Sequence, residues 1–297
     1  MNARERGFLL LTSHLGCEDR KPLTVAQLRT LAQRISTAEQ LRDDRELNEK
    51  DIAALGYGQE MARRIVRLLA EEELLDYYLQ KAARSGCTPI TRVSEHYPLL
   101  LRRRLGQNSP GVLWVRGDVL LLAEPAVALV GSRELRDQNR VFASEVGKQA
   151  ARQSYVLVSG NARGADRAAQ ESCLAAGGKV ISVVADELSK QPLRKNVLYV
   201  SEDGFEDAFS AQRALSRNRV IHGLGTKTFV AQTGLKTGGT WDGNVKNLRF
   251  GWSAVYCYDD GSEGMELLGQ MGANLIGTAE LKSFYNLPES EQNLFDR

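Results

Sequence analysis

From Pro98 onward, short runs of apolar, largely β-branched residues alternate with longer segments of helical spacing, and this alternation restricts the fold more than any other feature of the chain. The runs cover 126–130, 156–158, 180–184, 198–200, 228–230 and 254–258. Strands separated by helices pair in parallel, because the chain must cross back before it can run the same way again. The helices then cover both faces of the sheet. The expected class is α/β with a mostly parallel sheet. In such sheets ligands settle beyond the carboxyl ends of the strands, so the residues after each run are where function is sought.

The stretch before this has a different texture. Between 24 and 84 the apolar residues fall at helical spacing (Leu28, Leu31, Ile35; Leu47, Ile52, Leu55; Ile65, Leu68, Leu69; Leu75, Leu79), which predicts a small all-helical domain. Within it Gly56-Tyr57-Gly58-Gln59-Glu60-Met61-Ala62 has the glycine spacing of a helix-hairpin-helix, but Gln59-Glu60 stands where a DNA-contacting hairpin places Lys or Arg. A tight interhelical turn is the expected reading. The boundaries drawn are a helical domain at 1–90, the sheet domain at 91–277 and a polar, acidic tail at 278–297, read as a short docked helix or a frayed end.

Composition excludes several classes. Thirty-nine Lys and Arg against 37 Asp and Glu leave a net charge of +2 over 297 residues, too little to announce a polyanion partner through bulk charge. Cys17, Cys87, Cys173 and Cys257 show no C-x-x-C pair and only three His are present, so no metal site is expected. Neither a signal peptide nor a membrane span is expected, and the protein is read as cytoplasmic with reduced thiols.

Four turns carry the chemistry. The first strand runs into Gly131-Ser132-Arg133 ahead of a helix at 138–153, and the second into Ser159-Gly160-Asn161-Ala162-Arg163-Gly164-Ala165-Asp166. Glycines allow close approach to the backbone N–H groups, and an Arg fork suits phosphate. Asp166 is read first as an acid complementing a helix N-terminus and steadying an arginine, with a catalytic acid as the alternative. A third element places Arg213, Arg217, Asn218 and Arg219 near a helix end, where Arg213 and Arg217 at i, i+4 either straddle an anion or form a solvated basic face. His222 is expected to pack or cap. The fourth, Gly234-Leu235-Lys236-Thr237-Gly238-Gly239-Thr240, enters a helix expected to begin near Trp241, and lacks the lysine placement of a P-loop. Arg102-Arg103-Arg104 is read as a solvated face. From 194 to 249 there are nine Lys and Arg against five Asp and Glu, so the neutral total conceals a local basic surplus. Together the turns argue for a ligand held through its phosphates.

The ordered set Tyr97-Pro98-x-x-Leu101, Pro110-x-Val112-Leu113-x-x-x-Gly117, Val130-Gly131-Ser132-Arg133, Ser159-Gly160-x-Ala162-Arg163-Gly164-x-Asp166 and Arg217-Asn218-Arg219-Val220-Ile221-x-Gly223 closely resembles the DprA/Smf family of DNA processing proteins. Gly272-Ala273-Asn274-Leu275-Ile276 corresponds loosely to that family's Gly-Ala end of the sheet, and 24–84 to its N-terminal helical domain. The resemblance implies an extended Rossmann-like fold, binding of single-stranded DNA in a basic pocket, a homodimer, delivery of the strand to the RecA recombinase in transformation, and no catalysis or cofactor. Carried across, the pocket is Gly131, Ser132, Arg133, Ser159, Gly160, Arg163, Gly164, Arg217, Asn218 and Arg219. The residue reading adds Lys236, Thr237 and Gly238, with Asp166 in support. The family's C-terminal winged helix has no counterpart in this sequence, and Asn161, Ala165 and Gln232-Thr233 depart from its motifs. A divergent role in defence or a mobile element is therefore an alternative. So is a phosphoribohydrolase-like enzyme or nucleotide sensor, on the partial motif Gly238-Gly239-Thr240-Trp241-Asp242.

Overall fold

The computed structural model describes residues 1–38 and 47–288. Nine strands form one sheet in the order β1-β2-β6-β5-β4-β3-β7-β8-β9. They are β1 (Thr88–Thr91), β2 (Val112–Gly117), β3 (Ala126–Val130), β4 (Val156–Ser159), β5 (Lys179–Val183), β6 (Val197–Ser201), β7 (Lys227–Val230), β8 (Ala254–Tyr258) and β9 (Asn274–Ile276). Every neighbouring pair from β6 to β9 is parallel, while β1 pairs with β2 and β2 with β6 in antiparallel fashion. The six expected strands lie within a residue or two of the expected runs. β1, β2 and β9 lie outside the six expected runs; β9 falls in the 272–276 segment that the resemblance sets at the end of the sheet, and β1, a four-residue edge strand containing Pro89, carries too little periodicity to register.

Alternation across the pleat divides the buried residues. Val127, Leu129, Leu157 and Val180 face one core with Phe142, Val146 and Ala169. Ala128, Val130, Val158 and Ile181 face the other with Leu101, Val220, Ile221 and Trp241. All five residues of β3 are buried, as a central strand covered on both faces requires. On the first face α7 (Asp137–Arg152) and α8 (Ala165–Ala175) cross in close contact at Gly147, where a Cβ would stand 2.0 Å from the Ala169 carbonyl oxygen. The other face carries α6 (Leu99–Leu105), α9 (Ala211–Ser216), α10 (Asn218–Leu224), α11 (Gly238–Phe250) and α12 (Glu263–Gln270).

In the N-terminal segment α1 (Ala3–Thr12), α2 (Val25–Thr37) and α3 (Glu49–Ala54) each open on a reciprocal capping box, at Asn2/Glu5, Thr24/Gln27 and Asn48/Asp51. α4 (Gln59–Leu69) and α5 (Glu72–Arg84) follow. Leu23, Leu31, Ile52, Ala62, Ile65 and Leu68 close a small core of their own. α1 and α5 do something further: Leu9, Leu10, Leu75 and Tyr78 join the core of the sheet. Tyr78, Trp114 of β2 and Phe205 meet pairwise, edge-on or tilted, with ring centroids 5.0–5.4 Å apart. The Gly56-Tyr57-Gly58 element is the turn between α3 and α4, held by Arg34, which donates to the Leu55 carbonyl at 3.0 Å and covers the Tyr57 ring at 4.3 Å. The segment after β9 docks rather than frays as far as Pro288: Leu281 and Phe284 are fully buried and Tyr256 donates to the Pro288 carbonyl at 2.9 Å. The acidic Glu289, Glu291 and Asp296 lie outside the described residues.

Candidate nucleic-acid interface

From β3 the chain steps outward through β4, β5 and β6, then returns to place β7, β8 and β9 on the opposite side of β3. Connections leaving β3 and β7 in opposite directions open a crevice at the carboxyl ends of the strands, the place where this architecture accepts ligands. A cavity of about 440 Å³ sits there, lined by Gly131, Ser132 and Arg133 after β3, Ala162 and Asp166 after β4, Ala211, Ala214, Leu215, Arg217, Asn218 and His222 of the α9–α10 segment, and Gly234 with Thr237–Thr240 after β7. One wall is apolar and the floor is polar.

Arg217 dominates the floor. It stands at the junction where α9 ends and α10 begins, with αR geometry of its own. Its guanidinium lies across Gly160, so close that a Cβ there would fall 1.8 Å from Nη1, and Nη2 donates to the Gly160 carbonyl at 2.9 Å. A glycine at 160 is thus required by the arginine above it. The residue is 8% exposed, and its Nε has no hydrogen-bond partner among the described residues. Burial pulls the guanidinium's pKa down, and the neighbouring charge of Asp166 works against that shift. A buried cation with an unused donor is costly unless an anion meets it.

Asp166, also buried, accepts from the backbone N–H groups of Gly160 (3.1 Å) and Ala162 (3.2 Å). Burial pushes its carboxyl upward, while Arg217 and those two donors oppose the shift. It therefore shapes the glycine turn and faces Arg217. His222 packs under the cavity, sharing Nδ1 contacts with Thr228 (3.2 Å) and Asn247 (3.3 Å). Burial, with the charge of Arg217, depresses it to about 3, so it is neutral at physiological pH.

The other walls are backbone. Gly164 has φ +85° and a Cβ there would stand 2.4 Å from the carbonyl oxygens of Ser132 and Arg133, which presses the second turn onto the first. Gln232 fastens the first turn to β7: its carbonyl accepts from the Ser132 N–H and hydroxyl at 3.0 and 3.2 Å, and its side chain bonds the Arg136 N–H and the Glu134 carbonyl. Helix α11 begins at Gly238, three residues earlier than expected, and Thr237 gives it no side-chain cap. Its first N–H groups therefore face the cavity with partial positive charge. Asn218 donates to the Gly239 carbonyl at 3.1 Å and holds that terminus against α10.

Several expected residues stand elsewhere. Arg219 does not line the cavity: it pairs with Glu202 at 2.5 Å and donates to the Asn108 carbonyl at 3.1 Å. Arg213 and Arg217 do not straddle an anion, because the helix breaks at 217 and Arg213 turns to Asp203 (2.7 Å) and the carbonyls of Asp207 and Ala208. Ser159 is buried and accepts from Gln170 at 2.5 Å. Arg163 is largely exposed beside Glu134 at 3.6 Å, and Lys236 lies outside the lining. Asp242 is exposed on α11, away from the cavity. Arg104 is not solvated; it is bonded to the Gly225 and Thr226 carbonyls. The apolar wall of Ala211, Ala214 and Leu215 had no sequence signal, since small residues between arginines match no motif.

A family model described as DNA recombination-mediator protein A matches residues 88–280. The DNA processing protein DprA of Streptococcus pneumoniae is 30% identical over 186 residues, covering 58% of this chain and 66% of that protein. The X-ray structure of DprA from Streptococcus pneumoniae superposes with a TM-score of 0.66 at 24% identity, over 87% of this chain and 96% of that one. The DNA processing protein A of Helicobacter pylori, solved to describe its single-stranded DNA binding mode, superposes with a TM-score of 0.55 at 18% identity, over 71% of this chain and 96% of that one. At these identities the two structures establish the fold.

Proposed function

The chain belongs to the DNA recombination-mediator protein A family, and from that premise we propose that it binds single-stranded DNA through its phosphates at the carboxyl edge of the sheet and acts as a recombination mediator without catalysis of its own. The observation that carries this reading is Arg217, a buried guanidinium with a free Nε, set beside Arg133, the glycine turns and the uncapped start of α11. Donors of this kind bind phosphate irrespective of base, and the apolar wall of Ala214 and Leu215 suits the face of a base. The DNA processing protein A of Helicobacter pylori has a single-stranded DNA binding mode. Delivery of the strand to RecA, action as a homodimer and a cytoplasmic setting belong to the same proposal. No helix among the described residues is long and apolar enough to cross a membrane.

The test is a titration of labelled oligo-dT against blunt duplex and nucleoside monophosphates over a salt series. The expected result is preference for the single strand, with log K falling by about 0.7 per log unit of salt for each phosphate neutralised. Salt-independent binding, or preference for a monophosphate, overturns the proposal and favours a small-nucleotide ligand.

A further inference from the structure

Outside the cavity, α7 and α8 leave a surface groove of about 390 Å³ between them, lined by Arg140, Ser144, Gly164, Arg167, Ala168, Glu171, Ser172 and Ala175. Small residues, Gly164, Ala168 and Ala175, line part of it. Arg140 and Arg167 are exposed, and neither makes an ion pair or a side-chain hydrogen bond among the described residues, although Glu171 lines the same groove. Two like charges lining one groove repel, and an anion between them relieves the repulsion. The hydroxyls of Ser144 and Ser172 add donors.

The groove adjoins the cavity wall. It starts at Gly164, whose backbone rests on the carbonyls of Ser132 and Arg133, both residues of the cavity wall. Arg163, largely exposed, stands at the same corner. From Gly164 to Ala175 the groove follows roughly 16 Å of helix at 1.5 Å per residue, enough for about five phosphates at the spacing of a stacked strand. We propose that the α7–α8 groove is the exit track of the bound strand, where Arg140 and Arg167 hold phosphates that have left the cavity. This rests on the single-stranded DNA reading above and extends it from a pocket to a path.

Oligo-dT of about five and of about twenty nucleotides separates the two claims. In the double variant Arg140→Ala/Arg167→Ala, affinity for the short oligomer is expected to match the parent. Affinity for the long one falls about tenfold, and its salt slope drops by about 1.4, or 0.7 for each lost phosphate contact. Charge reversal, Arg140→Glu/Arg167→Glu, enlarges the loss for the long oligomer alone. Equal affinity of parent and double variant for the long oligomer overturns the track. So does a parallel loss on both lengths, which marks a disturbed cavity, or an unchanged length dependence with altered sedimentation, which marks a protein interface. Failure of the unaltered protein to bind either oligomer overturns the underlying reading and the track with it.

Discussion

Arg133 and Arg217 are both arginines at one cavity, but their environments assign them different work. Arg133 is exposed and makes no side-chain bond among the described residues, so its substitution leaves the fold alone. Arg133→Ala is expected to cost about tenfold in oligonucleotide affinity, about 1.4 kcal/mol, with no change in melting temperature. Arg133→Lys recovers part of the loss, because a point charge cannot present the planar fork. His222 governs a different measurement. Its unfolded pKa is near 6.5 and its folded value about 3, so between those values the unfolded chain takes up a proton that the folded chain refuses. Its contribution is complete above about pH 6.5 and is lost as the pH falls toward 3, by up to about 1.4 kcal/mol per pH unit. Urea titrations at stepped pH should show that slope, and His222→Asn should flatten it; an unchanged slope would exclude His222 as its source. At this scale the sequence reveals which arginines follow strands, and Arg133 was legible for that reason. It did not reveal that Glu202, distant from Arg219 along the chain, claims that side chain, since long-range pairing leaves no local pattern.

At the scale of elements, one position couples two turns and one helix junction. Gly160 lies directly beneath the Arg217 guanidinium, and α9 gives way to α10 where that arginine stands. Gly160→Ala forces the guanidinium off its carbonyl contact. The expected result is a loss of about 1–3 kcal/mol of stability, the usual range for overpacking, together with weaker oligonucleotide binding. Calorimetry and anisotropy on the same preparation check both, and intact binding would mean that Arg217 is not the phosphate anchor. The glycine was visible in the sequence as a turn former, yet its reason is not a turn: its φ lies outside the left-handed region, and space for an arginine 57 residues later is what it provides. Buried apolar strands such as β3 and β8 were legible from their runs, whereas β1, β2 and β9 are held by pairing partners more than by their own composition.

Across the whole molecule the last described segment ties the sheet together. After β9 the chain returns beneath α7, where Gln153 donates to the Leu281 carbonyl at 2.9 Å and accepts from the Phe284 N–H at 2.7 Å. Phe284 packs on Phe229 of β7 and Tyr155 before β4 at 4.8 and 5.7 Å between centroids. Phe284→Ala is expected to lower stability by about 3–5 kcal/mol, read as a drop in the denaturant midpoint. Oligonucleotide affinity at low temperature should stay unchanged, because the residue is not part of the cavity lining. A midpoint within error of the parent would show that the segment is a passenger. A related consequence follows from the change in strand order at β3, which has β4 on one side and β7 on the other. The cavity wall is assembled from positions 130–133, 162–166, 211–222 and 234–240, so no short stretch of the chain contains it and the unfolded polypeptide offers a ligand nothing comparable. An anion seated there acts as a keystone: every segment it touches must be in place for it to stay, and its departure loosens all of them at once. Saturating oligonucleotide at about a hundred times its dissociation constant should therefore raise stability by about 2.7 kcal/mol, so a strand bound there would also determine how long the protein survives heat.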